Sequence, residues 1–228
     1  MKSNLILLHG ALGSKRHLQT LKTELEADFN VFDLDFEGHG DRQCQGEFSI
    51  ERFAQNLIDF LIENKIDNTH VFGYSMGGYV AISAALKSPE LFGGIVTYGT
   101  KFNWSPEIAA KEVKMLNPDV IEEKVPKFAQ NLKSLHVPND WKVMMQKTAQ
   151  LMIGLGDGSG LAENDFKNLN HQITIGRGSA DKMVTELESK NVAQLLPHGT
   201  FISLEEQPHP IEMVNSNVLV NYIRATIL

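Results

Sequence analysis

The residues best placed to do chemistry are in Gly73-Tyr74-Ser75-Met76-Gly77-Gly78, a serine with glycines two positions before and two after it. The apolar run His70-Val71-Phe72 precedes this turn, and Tyr79-Val80-Ala81-Ile82 follows with the character of a buried helix. A strand that turns sharply into a helix holds its serine in a strained backbone conformation, and flanking glycines are needed because side chains there would strike the neighbouring elements. The strand before and helix after separate this turn from an incidental glycine-rich serine, and they leave Ser75 exposed at a helix amino terminus.

A hydroxyl is a weak nucleophile, so acyl transfer also needs a base for its proton and donors for the developing oxyanion. Leu5-Ile6-Leu7-Leu8-His9-Gly10-Ala11-Leu12-Gly13-Ser14 reads as a strand entering a turn of small residues, where free backbone N–H groups can face a carbonyl oxygen. Ala11 and Met76 are the expected oxyanion pair. His9 precedes the turn and is expected to be a hydrogen-bonding residue of that loop rather than the base.

Positioning these groups takes a sheet covered on both faces. Short apolar runs alternate with segments of helical period, the pattern of an α/β protein with a parallel sheet. The expected strands are Leu5 to Leu8, Val31 to Asp35, His70 to Phe72, Ile95 to Tyr98, Ile173 to Gly176 and Phe201 to Leu204. A helix with Ser49 as N-cap is expected up to about Asn64, and a carboxy-terminal one carries Ile211, Val214, Val218 and Tyr222 on one face. From about Thr100 to Leu169 the alternation stops. Ile121, Val125, Phe128, Leu132 and Leu135 recur there at helical spacing, and Asp140 caps a further helix carrying Met144, Met145 and Met152. This division gives a core of residues 1–99 and 170–228 and a helical cap, or lid, of residues 100–169.

Composition narrows the field. Apolar residues are 42% of the 228 and charged residues 21%, ordinary values for a folded globular chain. With 28 acidic against 21 basic residues the net charge is −7, and no Lys/Arg-dense segment is present to neutralise phosphates, which argues against nucleic acid as partner. Cys44 is the only cysteine, so no disulfide forms within the chain, which suits a reducing compartment without demanding one; it reads as an incidental loop thiol. The run before His9 is too short for a signal peptide or a membrane span, so a cytoplasmic protein acting on a small-molecule substrate is expected. Nothing in the sequence calls for a cofactor or a metal, and Gly156-Asp157-Gly158-Ser159-Gly160 lacks the ligand alternation of a calcium loop.

Together these segments resemble the α/β-hydrolase superfamily over nearly the whole length. Besides the two turns above, Val31 to Arg42, with its Gly38-His39-Gly40 turn, resembles the family's strand and loop at that place. Ile173 to Val184 resembles its late strand, whose following loop carries the acid. The resemblance implies nucleophile, acid and histidine in that chain order, hence Ser75, Asp181 and His209. Asp181 follows a strand end at the carboxyl edge of the sheet, unlike Asp157 and Asp165. His209 follows the last strand and immediately precedes the final helix, whereas His198 lies at that strand's opposite end. The family usually places glycine or alanine before this histidine; here Pro208 stands, which stiffens the loop.

The resemblance implies a carboxylesterase-like serine hydrolase working through an acyl-enzyme. Two other classes remain open. One is a triad-bearing lyase, or a thioester or C–C bond hydrolase, whose carboxylate substrate would need anchors among Lys15, Arg16, Lys101, Lys111 and Lys114. The other is a non-catalytic binding protein on the same fold. The strand at Leu5 begins close to Met1, with no room for two earlier strands. A reduced parallel sheet of about six strands is therefore expected, with Val31 to Asp35 at an edge, shielded by the loop from Glu37 to Glu47 or by a second copy in a homodimer.

Overall fold

The computed structural model describes residues 2–228. Six strands form one sheet: β1 Asn4–Leu8, β2 Asn30–Leu34, β3 Thr69–Tyr74, β4 Phe92–Tyr98, β5 Ile173–Gly178 and β6 Gly199–Leu204. Their order is β2-β1-β3-β4-β5-β6, every neighbouring pair is parallel, and β2 is an edge, as the sequence leads one to expect. The chain leaves β1 toward one side of the sheet to make β2, then returns to make β3 on the other side. The loops after β1 and β3 therefore diverge at adjacent strand ends and open a crevice at the carboxyl edge. The turns carrying Ala11 and Ser75 sit on those two loops.

Among the described residues ten α-helices accompany the sheet: α1 Gln19–Leu25, α2 Ile50–Glu63, α3 Met76–Lys87, α4 Pro106–Val113, α5 Pro118–Lys124, α6 Pro126–Leu135, α7 Trp141–Gly154, α8 Glu163–Lys167, α9 Glu186–Leu195 and α10 Ser216–Ile227. The strands' two-residue period divides the core into two layers. Ile6, Leu8, Val71, Ile95 and Ile175 face one way, against α2, α3 and α9. Leu5, Leu7, Phe72, Val96 and Tyr98 face the other, against α1 and α10. Leu5 to Leu8 are all fully buried, and each such leucine contributes about 1.5–3 kcal/mol of hydrophobic stabilisation. Helix α2 starts where expected, with Ser49 Oγ accepting the N–H of Arg52. Among the described residues no helix is long and apolar enough to cross a membrane.

Helices α4 to α8 all lie between β4 and β5. Asp140 caps α7 by accepting the N–H groups of Lys142 and Val143, as its sequence position suggests. Met144 and Met145 are buried in the same cluster as Ile50 and Tyr79, so these helices share the core of the sheet. Three expectations need correction. The stripe from Ile121 to Leu135 is two helices, because Pro126 has no N–H to continue a helix through Val125; Val125 and Phe128 are left exposed. The final helix begins only at Ser216, capped by Asn215, after a separate 3-10 turn at Ile211–Met213. The loop from Glu37 to Glu47 does not run along the β2 edge; it turns over the strand's end onto α7 and the residues after α6, where Asn139 Oδ1 accepts the N–H of Cys44 and Lys147 reaches the Gly46 carbonyl.

Candidate active site

Ser75 occupies the turn between β3 and α3 with φ 51° and ψ −117°, a left-handed conformation that costs a non-glycine residue about 1–3 kcal/mol. The cost is met locally. Its N–H donates to the Tyr98 carbonyl at 2.8 Å, and its carbonyl accepts from Thr100 Oγ1 at 2.9 Å. The glycines are required by close approach: a Cβ on Gly73 would lie 2.5 Å from Gly78 Cα, and one on Gly77 would lie 2.5 Å from the Leu8 carbonyl oxygen.

Met76 is the first residue of α3, where an N–H has no partner within its own helix. Ala11 lines the same cavity as Ser75 and Met76. The direction of its N–H is set through the planar Gly10–Ala11 peptide, whose carbonyl points the opposite way. That carbonyl accepts from His9 Nδ1 at 2.8 Å and from the Gly13 N–H at 3.1 Å. His9 Nε2 in turn accepts the N–H of Phe36 at 3.1 Å, which fixes the tautomer. Burial, above all, lowers the His9 pKa to about 3, so the ring is a neutral strut of the turn.

His209 follows β6, and its Nδ1–H donates to Asp181 Oδ2 at 2.8 Å. Asp181 lies in the loop after β5 with its side chain fully enclosed, and Oδ1 accepts the N–H groups of Met183 at 2.7 Å and Val184 at 3.0 Å. Burial opposes ionisation of this carboxyl, but the hydrogen bond and charge of His209, with the two N–H donors, outweigh it and hold the pKa below the ordinary value. The two loops are tied together: Ala180 N–H donates to the Gln207 carbonyl at 3.1 Å, and the Tyr98 hydroxyl donates to the Pro208 carbonyl at 2.5 Å. Buried Arg177 adds bonds to the carbonyls of Val184 and Asp181. None of Tyr98, Thr100 or Arg177 is singled out by the sequence alone, although an arginine in an otherwise apolar strand is the one available signal. His198, the rival base, is exposed at the far end of β6.

Ser75 and His209 line the same two cavities, yet among the described residues no hydrogen bond joins them. With Nδ1 taken by Asp181, Nε2 is the nitrogen left for proton exchange. One cavity is small and apolar, about 60 Å³, walled by Met76, Tyr79, Trp104, Leu151, Met152 and Leu155. The other is an open groove of about 590 Å³, walled by Leu116, Phe128, Leu132, Pro210 and Met213. Lys101 reaches the small cavity, but its ammonium donates to the Met183 carbonyl and lies 3.7 Å from Glu112. Among the described residues no group of three His, Cys, Asp or Glu side chains is arranged to hold a metal ion.

Known proteins of similar sequence or fold set this geometry in context. Ethanol acetyltransferase 1 of Kluyveromyces lactis is 34% identical over 92 residues, 39% of this chain and 24% of that protein. Esterase YbfF of Escherichia coli K12 is 34% identical over 90 residues, 39% of this chain and 35% of that protein. The matched stretches thus span about a quarter to about a third of those relatives' lengths. A solved thermophilic esterase from Thermogutta terrifontis superposes with a TM-score of 0.79 at 18% identity, over 98% of this chain and 88% of that one, a likeness of fold. The sequence model described as serine aminopeptidase, S33, matches residues 1–213, nearly the whole length of strands, turns and loops described above. The chain belongs to that family of α/β hydrolases.

Proposed function

We propose that the protein is a serine hydrolase that cleaves carboxylic esters of small molecules through an acyl-enzyme. The observation that carries this reading is the shared wall: the strained Ser75 turn and His209, which Asp181 holds from behind, border the same apolar cavity. In the proposed sequence His209 Nε2 takes the Ser75 proton as Oγ attacks the ester carbonyl. The N–H groups of Ala11 and Met76 stabilise the oxyanion, and Asp181 holds the ring and its developing charge. His209 then gives the proton to the departing alcohol, and water repeats the steps to release the acid. Relatives named as an esterase and an acetyltransferase support acyl chemistry.

The two cavities suggest which part of the substrate goes where. The alcohol must be protonated by His209, and the hydrolytic water must then enter along the path that the alcohol vacates. Both needs favour the open groove, where Pro210 and Met213 stand beside His209, as the alcohol side. The acyl chain is left with the smaller, apolar cavity of about 60 Å³. Residues 100–169 would act as the cap over both. The lyase reading needs a free cation for a substrate carboxylate, and Lys101, the one lysine or arginine lining the small cavity among the described residues, is already engaged by Glu112 and Met183. A chain-length series of p-nitrophenyl esters tests the proposal: turnover highest for short acyl groups and falling as the acyl chain lengthens supports it, and no ester turnover in the folded protein contradicts it.

A further inference from the structure

His136 is fully buried at the carboxyl end of α6, far in sequence from every residue of the site, yet both ring nitrogens are used on the site's loops. Nδ1 accepts the N–H of Gly40 at 3.0 Å, in the loop after β2. Nε2–H donates to the carbonyl of Leu12 at 3.1 Å, in the turn after β1. Leu12 follows Ala11 directly and is held at φ 58°, a conformation that a leucine rarely adopts without outside support. Three residues on, Asn139 grips the same loop after β2, donating to the carbonyls of Gly40 at 3.2 Å and Arg42 at 3.0 Å, but among the described residues it makes no hydrogen bond to the turn after β1.

We propose that His136 is a positioning residue for the oxyanion turn: from the helical segment it fixes the Leu12 carbonyl, and with it the strained turn that presents the Ala11 N–H. The proposal rests on the reading of Ala11 and Met76 as oxyanion donors. Within the Gly10 to Gly13 turn, His9 holds the carbonyl of Gly10 and His136 holds that of Leu12. Because α6 belongs to the segment between β4 and β5, the oxyanion geometry is complete only while that segment is docked. Both bonds require a neutral imidazole whose proton sits on Nε2. Burial, foremost, keeps His136 below histidine's ordinary pKa, helped by His17 and Arg16 and opposed by the Leu12 carbonyl and Asp35. His39, itself neutral and buried, packs edge-on at 5.8 Å, and His9 lies 5.1 Å beyond it.

A matched pair of substrates separates positioning from support of the fold. A thionoester accepts a weaker hydrogen bond than its oxo counterpart, so the ratio of their turnover reports how well the oxyanion donors are placed. His136→Met fills the volume without the two bonds and is expected to lower kcat about tenfold to a hundredfold with little change in KM, and to narrow the oxo/thiono ratio severalfold. His136→Gln, whose amide carries an acceptor and a donor, is expected to restore most of both. Asn139→Leu, which loosens the same helical segment, is expected to leave the ratio at the wild-type value. Where the Met variant does not fold, His136→Asn serves in its place: its shorter amide can satisfy only one partner, and the same narrowing is expected. A ratio unchanged in the His136 variants, or narrowed as much by Asn139→Leu, overturns the role of His136. A wild type without preference for the oxo ester overturns the oxyanion assignment itself, and the proposal with it.

Discussion

Four histidines are buried near the carboxyl edge of the sheet, and His209 alone among them donates to a carboxylate. His9, His39 and His136 form a contiguous group with ring centroids 5.1 and 5.8 Å apart, and burial, before any other cause, holds all three below the ordinary histidine pKa. Their nitrogens bond backbone groups, apart from His39 Nε2, which has no partner among the described residues. His209 differs in two ways: a buried carboxylate takes its Nδ1–H, and its ring borders both cavities. Burial makes a histidine an inert strut, whereas a carboxylate partner and an open cavity together make a candidate base.

The comparison is broken most directly by removing the members of the active group. Ser75→Ala and His209→Ala are each expected to lower kcat on the order of a million-fold, with little further loss in the double variant, because nucleophile and base act as one unit. Additive losses in steady-state kinetics would show that the two do not share a step. Asp181→Asn should cost less, about ten-thousand-fold, by leaving His209 in the wrong tautomer while the fold persists. An Asn variant with near-normal kcat would remove Asp181 from the mechanism.

The inert group is tested by stability against pH. In the unfolded chain these histidines take up protons near pH 6.5, whereas folded His9 resists protonation down to about pH 3. The unfolded state therefore binds more protons below pH 6.5, so unfolding free energy should fall as pH drops from there, by about 1.4 kcal/mol per pH unit for each histidine that stays neutral when folded. Asp181, whose folded pKa is lowered, adds its loss only near and below the ordinary carboxylate range. His39→Phe, in a pocket already lined by Phe48 and Phe53, should flatten the slope between pH 6.5 and 4.5 in urea titrations. An unchanged slope would mean that His39 is not among the residues held neutral. The smallest effect expected is that of His198→Ala, which should leave kcat within about twofold of wild type; a large loss would mean that the exposed end of β6 matters to catalysis.

Strands and turns were legible because their signals are local. Leu5 to Leu8 and Gly73 to Gly78 carry their structural reasons within a few residues, as steric demands of a buried strand and a tight elbow. The pairing of His209 with Asp181 was legible through the family resemblance and the strand ends that the two follow, since 28 residues separate them. The helical segment was read coarsely. Pro126 splits a periodic stripe that spacing alone makes continuous, and Asn215 delays the last helix past a turn that apolar spacing hides. His136 gave no signal, because its meaning lies in the carbonyl of Leu12 and the N–H of Gly40, backbone groups 124 and 96 residues away that any residue type supplies.

The most direct measurement of the central claim is to treat the folded protein with a fluorophosphonate and locate the adduct by peptide mass. The account predicts a single adduct on Ser75, formed quickly in the wild type and very slowly in His209→Ala. An adduct on another serine, or none on a wild type shown to be folded, would contradict it.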